Sequence, residues 1–219
     1  PHHPKDTMKR HLFQLGKLLH PRQLLQLRHF MHLLLGGLAL ATTLALSGCA
    51  SQQIESYANE KPVLDLQQYF NGTLDAYGIF TDRSGKVVKR FTVVMTCTWQ
   101  GPPGQEVGVL DEAFTYSDGT KDRRVWTLKR QADGRYTGTA GDVIGEANGQ
   151  EKGNAFRWGY TLALPVDGRV IEVQFDDWMY LMDEQVMMNK AVMRKWGVTL
   201  GEVTLSFKRR LLNASGRVS

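Results

Sequence analysis

The sequence lacks histidine beyond position 32 and has only two cysteines, Cys49 and Cys97. These residue types supply most ligands of zinc, haem and non-haem iron sites, so the usual ligand sets of these metals are missing from residues 33–219. If Cys49 is modified, no intramolecular disulfide can form either. We therefore expect no metal site, no cofactor and no catalytic histidine in the folded part of the chain.

The part of the chain that could fold also lacks an excess of positive charge. The whole sequence has 27 Lys and Arg against 22 Asp and Glu. Residues 49–219 hold 21 basic and 21 acidic residues, so the whole excess lies in residues 1–48. Nucleic-acid binding requires a cationic surface on the folded domain. We therefore expect no nucleic-acid partner.

One apolar run stands out, the 14 uncharged residues of 33–46. A transmembrane helix needs about 20 apolar residues, whereas the core of a signal peptide is shorter. The run ends in Leu46-Ser47-Gly48-Cys49, which resembles the bacterial lipoprotein box, where a peptidase cuts before the cysteine. The resemblance implies that 1–48 is a leader and that Cys49 carries acyl chains such as palmitate. The alternative is a buried apolar helix that happens to end in Gly-Cys.

Two acyl chains on one cysteine anchor a protein stably, which makes the membrane the expected partner. The residue after the cysteine is Ala50 rather than the Asp that retains such lipoproteins in the inner membrane. The resemblance thus implies the inner leaflet of the bacterial outer membrane, with the domain in the periplasm. Met8 and Met31 are both candidate starts, and with Met31 residues 1–30 would lie upstream of the protein.

The remaining chain reads as strands separated by tight turns. Turn dipeptides occur at 118–119, 133–134, 148–149 and 167–168, each an Asp-Gly or Asn-Gly pair of the kind that hairpins prefer. We predict a lipid-anchored tether over 49–64, a short helix or strand at 65–70 and a loose tail at 211–219. Strands are predicted at 72–81, 87–100, 106–117, 122–131, 135–140, 143–148, 154–164, 169–181, 185–196 and 198–209.

Alternating side chains favour an all-β domain over 65–210. In strand 87–100 the odd positions are mostly apolar and the even positions mostly polar, which is the period of a strand with one buried face. We predict an antiparallel, up-and-down, lipocalin-like barrel of roughly 8–10 strands, because a closed barrel leaves no edge strand. A two-sheet β-sandwich is the alternative.

Several stretches of this domain resemble an uncharacterised family of proteobacterial lipoproteins, the domain of unknown function 3833. The most specific stretch is Phe175-Asp176-Asp177-Trp178-Met179-Tyr180-Leu181. Others lie at 110–119, 124–128, 139–147, 153–158, 189, 195–197 and 201–205, so the resemblance spans about 60–210. It implies a lipocalin-like β fold and no established activity or catalytic residue. Members are often encoded beside fatty-acid-modifying methyltransferases, which points to lipid chemistry.

Four polar residues interrupt apolar rows of the predicted strands: Glu112, Arg124, Asp177 and Asn189. A buried carboxylate is costly unless it is paired. We predict that Arg124 bridges Glu112 and Asp177 with its fork of donors. Three interpretations stay open: a structural ion pair that fixes strand register, a polar floor that orients the head group of a ligand, or catalysis by the two carboxyl groups.

Two further sets of side chains are candidate binding surfaces. Trp126, Trp158 and Met179 could line the apolar part of a cavity, although such residues are also ordinary core. Asp176, Trp178 and Tyr180 could form an exposed interaction face for a protein partner that the sequence does not identify.

The function that this pattern favours is a periplasm-facing lipoprotein that binds a small hydrophobic or amphipathic ligand, such as a fatty-acyl lipid, in support of envelope lipid maintenance. We expect it not to be an enzyme. The first alternative is a scaffold lipoprotein with a filled core, and the second is a lipid-modifying or hydrolytic enzyme that uses carboxyl groups.

Overall fold

The computed structural model describes residues 52–166 and 168–210. The predicted leader, the predicted lipidation site Cys49 and the predicted tail at 211–219 lie outside these residues. Among the described residues, no helix has the length and apolar character needed to cross a membrane.

Ten antiparallel strands form a closed barrel in which each strand pairs with its neighbours in the chain and β1 pairs with β10. The strands are β1 (Gly72–Asp82), β2 (Val87–Gln100), β3 (Val107–Tyr116), β4 (Lys121–Arg130), β5 (Tyr136–Thr139), β6 (Ala147–Lys152), β7 (Ala155–Val166), β8 (Arg169–Leu181), β9 (Val186–Lys195) and β10 (Val198–Arg209). The predicted up-and-down barrel is confirmed, and the alternative of a two-sheet sandwich is wrong.

Side chains alternate between the lumen and the outer surface as the sequence pattern predicts. In β2 the odd positions from Val93 to Cys97 are buried and the even positions are exposed. In β7 the even positions from Phe156 to Leu164 face inward, and in β8 the odd positions do. The core of the protein is therefore the inside of the barrel.

One strand lies elsewhere than predicted. The sequence analysis placed a strand at 143–148 and a turn at Asn148-Gly149, but both residues lie inside β6. Gly149 serves close packing rather than a turn, since a Cβ atom there would come within 2.3 Å of the Trp158 ring and 2.6 Å of the Phe156 ring. The sequence alone does not distinguish a glycine that makes room for an aromatic ring on the next strand from a glycine in a turn.

A short helix, α1 (Leu66–Tyr69), closes one end of the barrel. Asp65 caps it by accepting a hydrogen bond from the Gln68 N–H at 2.9 Å. The Tyr69 hydroxyl donates to the carbonyls of Gln185 and Phe207, which ties the helix to both the β8–β9 turn and β10. Leu66 and Tyr69 are buried. The helix is thus a plug fixed to the strands around it.

Part of the predicted tether packs on the barrel instead of hanging free. Ile54, in a 3₁₀ turn at Ile54–Tyr57, is buried, and so is Leu64. The Leu64 N–H donates to the Gly153 carbonyl at 2.7 Å. The folded unit therefore begins by Ile54 rather than at residue 65. All ten strands and the plug lie within 52–210, so a chain of residues 50–219 contains the complete core.

Candidate functional site

The lumen holds a cavity of about 490 Å³. Binding pockets for small molecules typically have volumes of roughly 300–1,000 Å³. Its walls are mainly aromatic and aliphatic, with Phe91, Phe114, Phe156 and Phe175 among the rings and Leu110, Leu128 and Leu162 among the aliphatic chains. The interior is therefore hollow and apolar rather than filled.

The cavity runs from the plug to the opposite end of the barrel. Leu66 and Phe70 line it at the closed end. Lys89, Tyr116 and Pro165 line it near the ends of β2, β3 and β7, where the hairpin turns lie. The Lys89 side chain is 40% exposed and pairs with Asp118 at 3.1 Å. This end, with Lys89 on its rim, is the mouth of the cavity.

Asp177 is a buried carboxyl group in the cavity wall, on the inward face of β8 as predicted. The Tyr160 hydroxyl donates to its Oδ2 at 2.7 Å, and the Asn189 Nδ2 donates to its Oδ1 at 3.2 Å. Burial raises the pKa of Asp177 to about 6 in spite of these two hydrogen bonds, which lower it. The pKa of Tyr160 is raised as well, first by burial and then by the carboxylate beside it.

Glu112 projects from β3 into the same cavity, also as predicted. Burial raises its pKa to about 7, while the positive charge of Arg124 lowers it. Arg124 stands directly opposite on β4, yet the two side chains are beyond ion-pair distance. Among the described residues, no donor hydrogen-bonds to Glu112. Its half-buried carboxyl group therefore faces the cavity and has no hydrogen-bonding partner in this part of the chain.

The predicted bridge from Arg124 to Glu112 and Asp177 is wrong. Arg124 instead forms an ion pair with Asp142, in which Nε donates at 3.0 and 3.1 Å and Nη2 donates at 2.6 Å. Asp142 lies in the β5–β6 connection, and its carbonyl accepts a hydrogen bond from the Ala163 N–H of β7. The arginine lines the cavity, but its side-chain hydrogen bonds are with Asp142 in the wall.

The Arg124–Asp142 pair lies where the wall has few hydrogen bonds between strands. Of β4, only residues 127–130 pair with β5, and of β7, only residues 155–159 pair with β6. Above these ladders, the connection contacts β7 through the bridge between Val143 and Leu162. The sequence analysis left Asp142 between two predicted strands and assigned it no role. Its signal was an acid within three residues of two glycines, which favours a loop.

The predicted apolar residues do line the cavity. Trp126, Trp158 and Met179 are all in its wall. The Trp126 ring lies 5.8 Å from the Trp158 ring and 5.3 Å from the Tyr160 ring, in edge-to-face geometry. The sequence analysis did not identify Tyr160 or its hydrogen bond to Asp177. Whether these side chains contact a ligand stays a prediction.

The predicted exposed face formed by Asp176, Trp178 and Tyr180 is wrong. Trp178 is buried although it points away from the lumen. The segment before the barrel covers it, with the Tyr57 ring 5.8 Å from the Trp178 ring and 5.4 Å from the Tyr180 ring. Ile54 packs in the same cluster. The apolar side chains of this face bury a segment of the same chain.

Asp176 is also engaged within the protein. It accepts a hydrogen bond from the Arg157 Nε at 2.8 Å, and the Arg157 guanidinium lies 5.2 Å from the centre of the Trp178 ring. This charge pair, with the guanidinium over a buried ring, joins β7 to β8. The face contributes to the fold, with Trp178 buried and Tyr180 partly buried.

The remaining chemistry of the described residues is limited. No group of three His, Cys, Asp or Glu in this part of the chain could hold a metal ion. Burial raises the pKa of the Cys97 thiol to about 12, which makes it a poor nucleophile. The two carboxyl groups with a pKa near neutrality, Glu112 and Asp177, can accept hydrogen bonds and exchange protons inside an apolar cavity.

Comparisons with known proteins bear on family and fold. The model of the family described as "Protein of unknown function (DUF3833)" matches residues 43–209. An S-type phycobiliprotein lyase, CPES, from Guillardia theta is similar in structure, with a TM-score of 0.53, 7% identity, and coverage of 74% of this chain and 99% of that chain. No curated protein matches this chain in sequence.

Two designed barrels are more distant. A redesigned β-barrel, mFAP1, bound to DFHBI has a TM-score of 0.37 and 11% identity, and it covers 65% of this chain and 97% of that chain. A fluorescence-activating β-barrel designed de novo has a TM-score of 0.36 and 14% identity, with 67% of this chain and 99% of that chain covered. At these identities the likeness to the lyase shows the fold alone, and the designed barrels add no argument.

Proposed function

This chain belongs to the DUF3833 family, and we propose that its barrel binds one small hydrophobic or amphipathic molecule in the lumen. The observation that carries the proposal is the cavity of about 490 Å³, whose walls are apolar except for a few convergent polar groups. This combination is typical of small-molecule sites, in which apolar walls provide affinity and polar groups fix orientation. The mouth at the end opposite the plug gives the ligand a way in.

We extend the proposal to a place in the cell. The lipoprotein box that ends at Cys49 and the Ala50 that follows it support a lipid-anchored protein on the periplasmic side of the bacterial outer membrane. A long-chain molecule such as a fatty-acyl lipid suits a narrow apolar lumen in that setting. The protein would then act as a carrier or accessory in envelope lipid maintenance.

The hollow interior argues against a scaffold with a filled core, because such a protein would gain stability by packing its lumen with side chains. An enzymatic role rests only on the two carboxyl groups, Glu112 and Asp177. Asp177 has both oxygens engaged by Tyr160 and Asn189, which suits a positioning role better than an attack on a substrate.

A cavity-filling variant tests the binding proposal. Ala191 is buried on β9 and lines the cavity, so Ala191→Phe should occupy part of the space that a ligand needs. Ala113 lies on the exposed face of β3 and gives a matched control, Ala113→Phe. The measurement is the fluorescence of N-phenyl-1-naphthylamine, an uncharged apolar probe, titrated with each form of residues 50–219.

We expect the unchanged chain and Ala113→Phe to bind one probe molecule with equal affinity, and Ala191→Phe to bind at least about tenfold more weakly, which corresponds to about 1.4 kcal/mol. Urea unfolding of all three forms shows whether each is folded. Equal probe binding by a folded Ala191→Phe would place the probe outside the lumen and contradict the proposal.

A further inference from the structure

The polar part of the lumen is rich in hydrogen-bond acceptors and poor in free positive charge. Glu112 faces the cavity, and no described donor hydrogen-bonds to it. Arg124 stands opposite Glu112 on β4, and its Nε and Nη2 atoms donate hydrogen bonds to Asp142. The opposite wall presents the carboxyl group of Asp177.

The other donors around the cavity do not change this balance. The Tyr160 hydroxyl is already donated to Asp177, and so is the Asn189 amide. Trp126 and Trp158 have indole N–H donors, but these carry no charge that could offset an anion. The remaining cation of the lining, Lys89, lies at the mouth and pairs with Asp118.

From this arrangement we infer that the ligand carries a hydrogen-bond-donating, non-anionic head group, a hydroxyl or an ammonium, which sits inside the lumen against Glu112. The inference rests on the proposed function and deepens it by naming the chemistry of the head group. A donor would satisfy the carboxyl group that the described residues leave without a hydrogen bond. A free carboxylate or phosphate at the same place would share the cavity with the carboxyl groups of Glu112 and Asp177 and lose its hydration.

The inference also fixes how the ligand lies. The apolar chain extends from the polar wall along the aromatic lining, and the head group is enclosed rather than left at the mouth. The alternative is the opposite orientation, with an anionic head group on Lys89 and its chain in the lumen. It predicts the opposite order of affinities and a dependence on Lys89.

Three ligands with the same twelve-carbon chain separate these cases: dodecylamine, dodecanol and laurate, each titrated below its micelle-forming concentration by calorimetry into residues 50–219 at pH 8. This pH is above the pKa of about 7 that burial gives Glu112. We expect dodecylamine and dodecanol to bind at least about tenfold more tightly than laurate, since hydrogen bonds to charged groups are the stronger ones.

Two variants assign the preference to its residue. Glu112→Gln keeps the shape of the side chain and removes its charge. It should weaken the binding of dodecylamine by about tenfold and change the affinity for dodecanol by less than about threefold. Asp111→Asn is the control, because the Asp111 side chain is next in sequence and hydrogen-bonds to Arg123 on the outer face. It should change none of the three affinities.

The outcomes distinguish this inference from the proposal beneath it. Tightest binding by laurate, lost on Lys89→Ala, would overturn the inference and leave lumen binding intact. An unchanged amine preference in a folded Glu112→Gln would overturn it too. If none of the three ligands binds and the uncharged probe does not bind either, the proposed function itself fails.

Discussion

Arg124 and Asp142 form an ion pair with three hydrogen bonds, 2.6–3.1 Å long, across the part of the barrel wall between β4 and β7. The ladders of β5 and β6 do not extend to this level. The pair thus joins β4 to the β5–β6 connection, which the backbone N–H of Ala163 joins to β7. It also occupies the Nε and Nη2 donors of Arg124, so the arginine acts on Glu112 through its charge and not through a hydrogen bond.

Loss of this pair should weaken the barrel. Arg124→Met leaves Asp142 without its partner, and we expect the free energy of unfolding to fall by about 1.5–3 kcal/mol, as for hydrogen bonds to charged groups. The measurement is the urea unfolding midpoint. Arg123→Met is the control, because Arg123 pairs with Asp111 on the surface with 68% of its side chain exposed. Such pairs contribute about 0–1 kcal/mol, and an equal loss in both variants would refute a special role for Arg124.

Stability should depend on pH through Glu112. In the unfolded chain this group loses its proton near pH 4.5, whereas in the folded protein it keeps the proton up to about pH 7. Between these values the folded state binds more protons, so stability falls as pH rises through the window. A shift of this size corresponds to at most about 3–4 kcal/mol.

Unfolding of residues 50–219 in urea at pH 5 and pH 8 checks this, and we expect a lower midpoint at pH 8. The Glu112→Gln variant should lose much of the difference. Asp177, whose pKa is raised to about 6, contributes in the same direction and accounts for part of the remainder. Asp111→Asn should leave most of the difference in place, because the hydrogen bond with Arg123 lowers the pKa of Asp111, and its charge is the smallest of the nearby charges that raise the pKa of Glu112. A stability that rises from pH 5 to pH 8 would contradict the sign.

Gly149 should not tolerate a side chain. An alanine Cβ atom there would meet the Trp158 ring at 2.3 Å and the Arg157 carbonyl at 2.7 Å, and the carbonyl cannot move away cheaply. We expect Gly149→Ala to lower the free energy of unfolding by about 1–3 kcal/mol, as overpacking does. Gly141→Ala is the control, because nothing lies within 4 Å of the added atom. Equal melting temperatures for the two variants would show that the rings have room.

The lipid anchor is testable in cells. If Cys49 is acylated, growth with an alkyne analogue of palmitate should label the protein and place it in the membrane fraction. Cys49→Ala should abolish both, while Cys97→Ala, which removes the buried thiol inside the barrel, should abolish neither. Labelling that survives Cys49→Ala would remove the basis for the periplasmic placement.

The alternation of side chains along each strand could be predicted from the sequence, because it follows from a local period of two. The same period predicted that Glu112, Asp177 and Asn189 face inward. The partner of Arg124 could not be predicted, since it depends on where a loop crosses the wall. The burial of Trp178 was missed for a similar reason. Its alternation correctly places it outside the lumen, but only the three-dimensional path of residues 54–57 shows that it is covered.

The central claim is that the lumen holds a ligand. Native mass spectrometry of residues 50–219, purified from the periplasm and followed by solvent extraction, tests it most directly. The account predicts one bound molecule per chain, lost in Ala191→Phe and identified on extraction as an apolar or amphipathic compound. A mass equal to that of the bare chain, unchanged after incubation with membrane lipids, would contradict it.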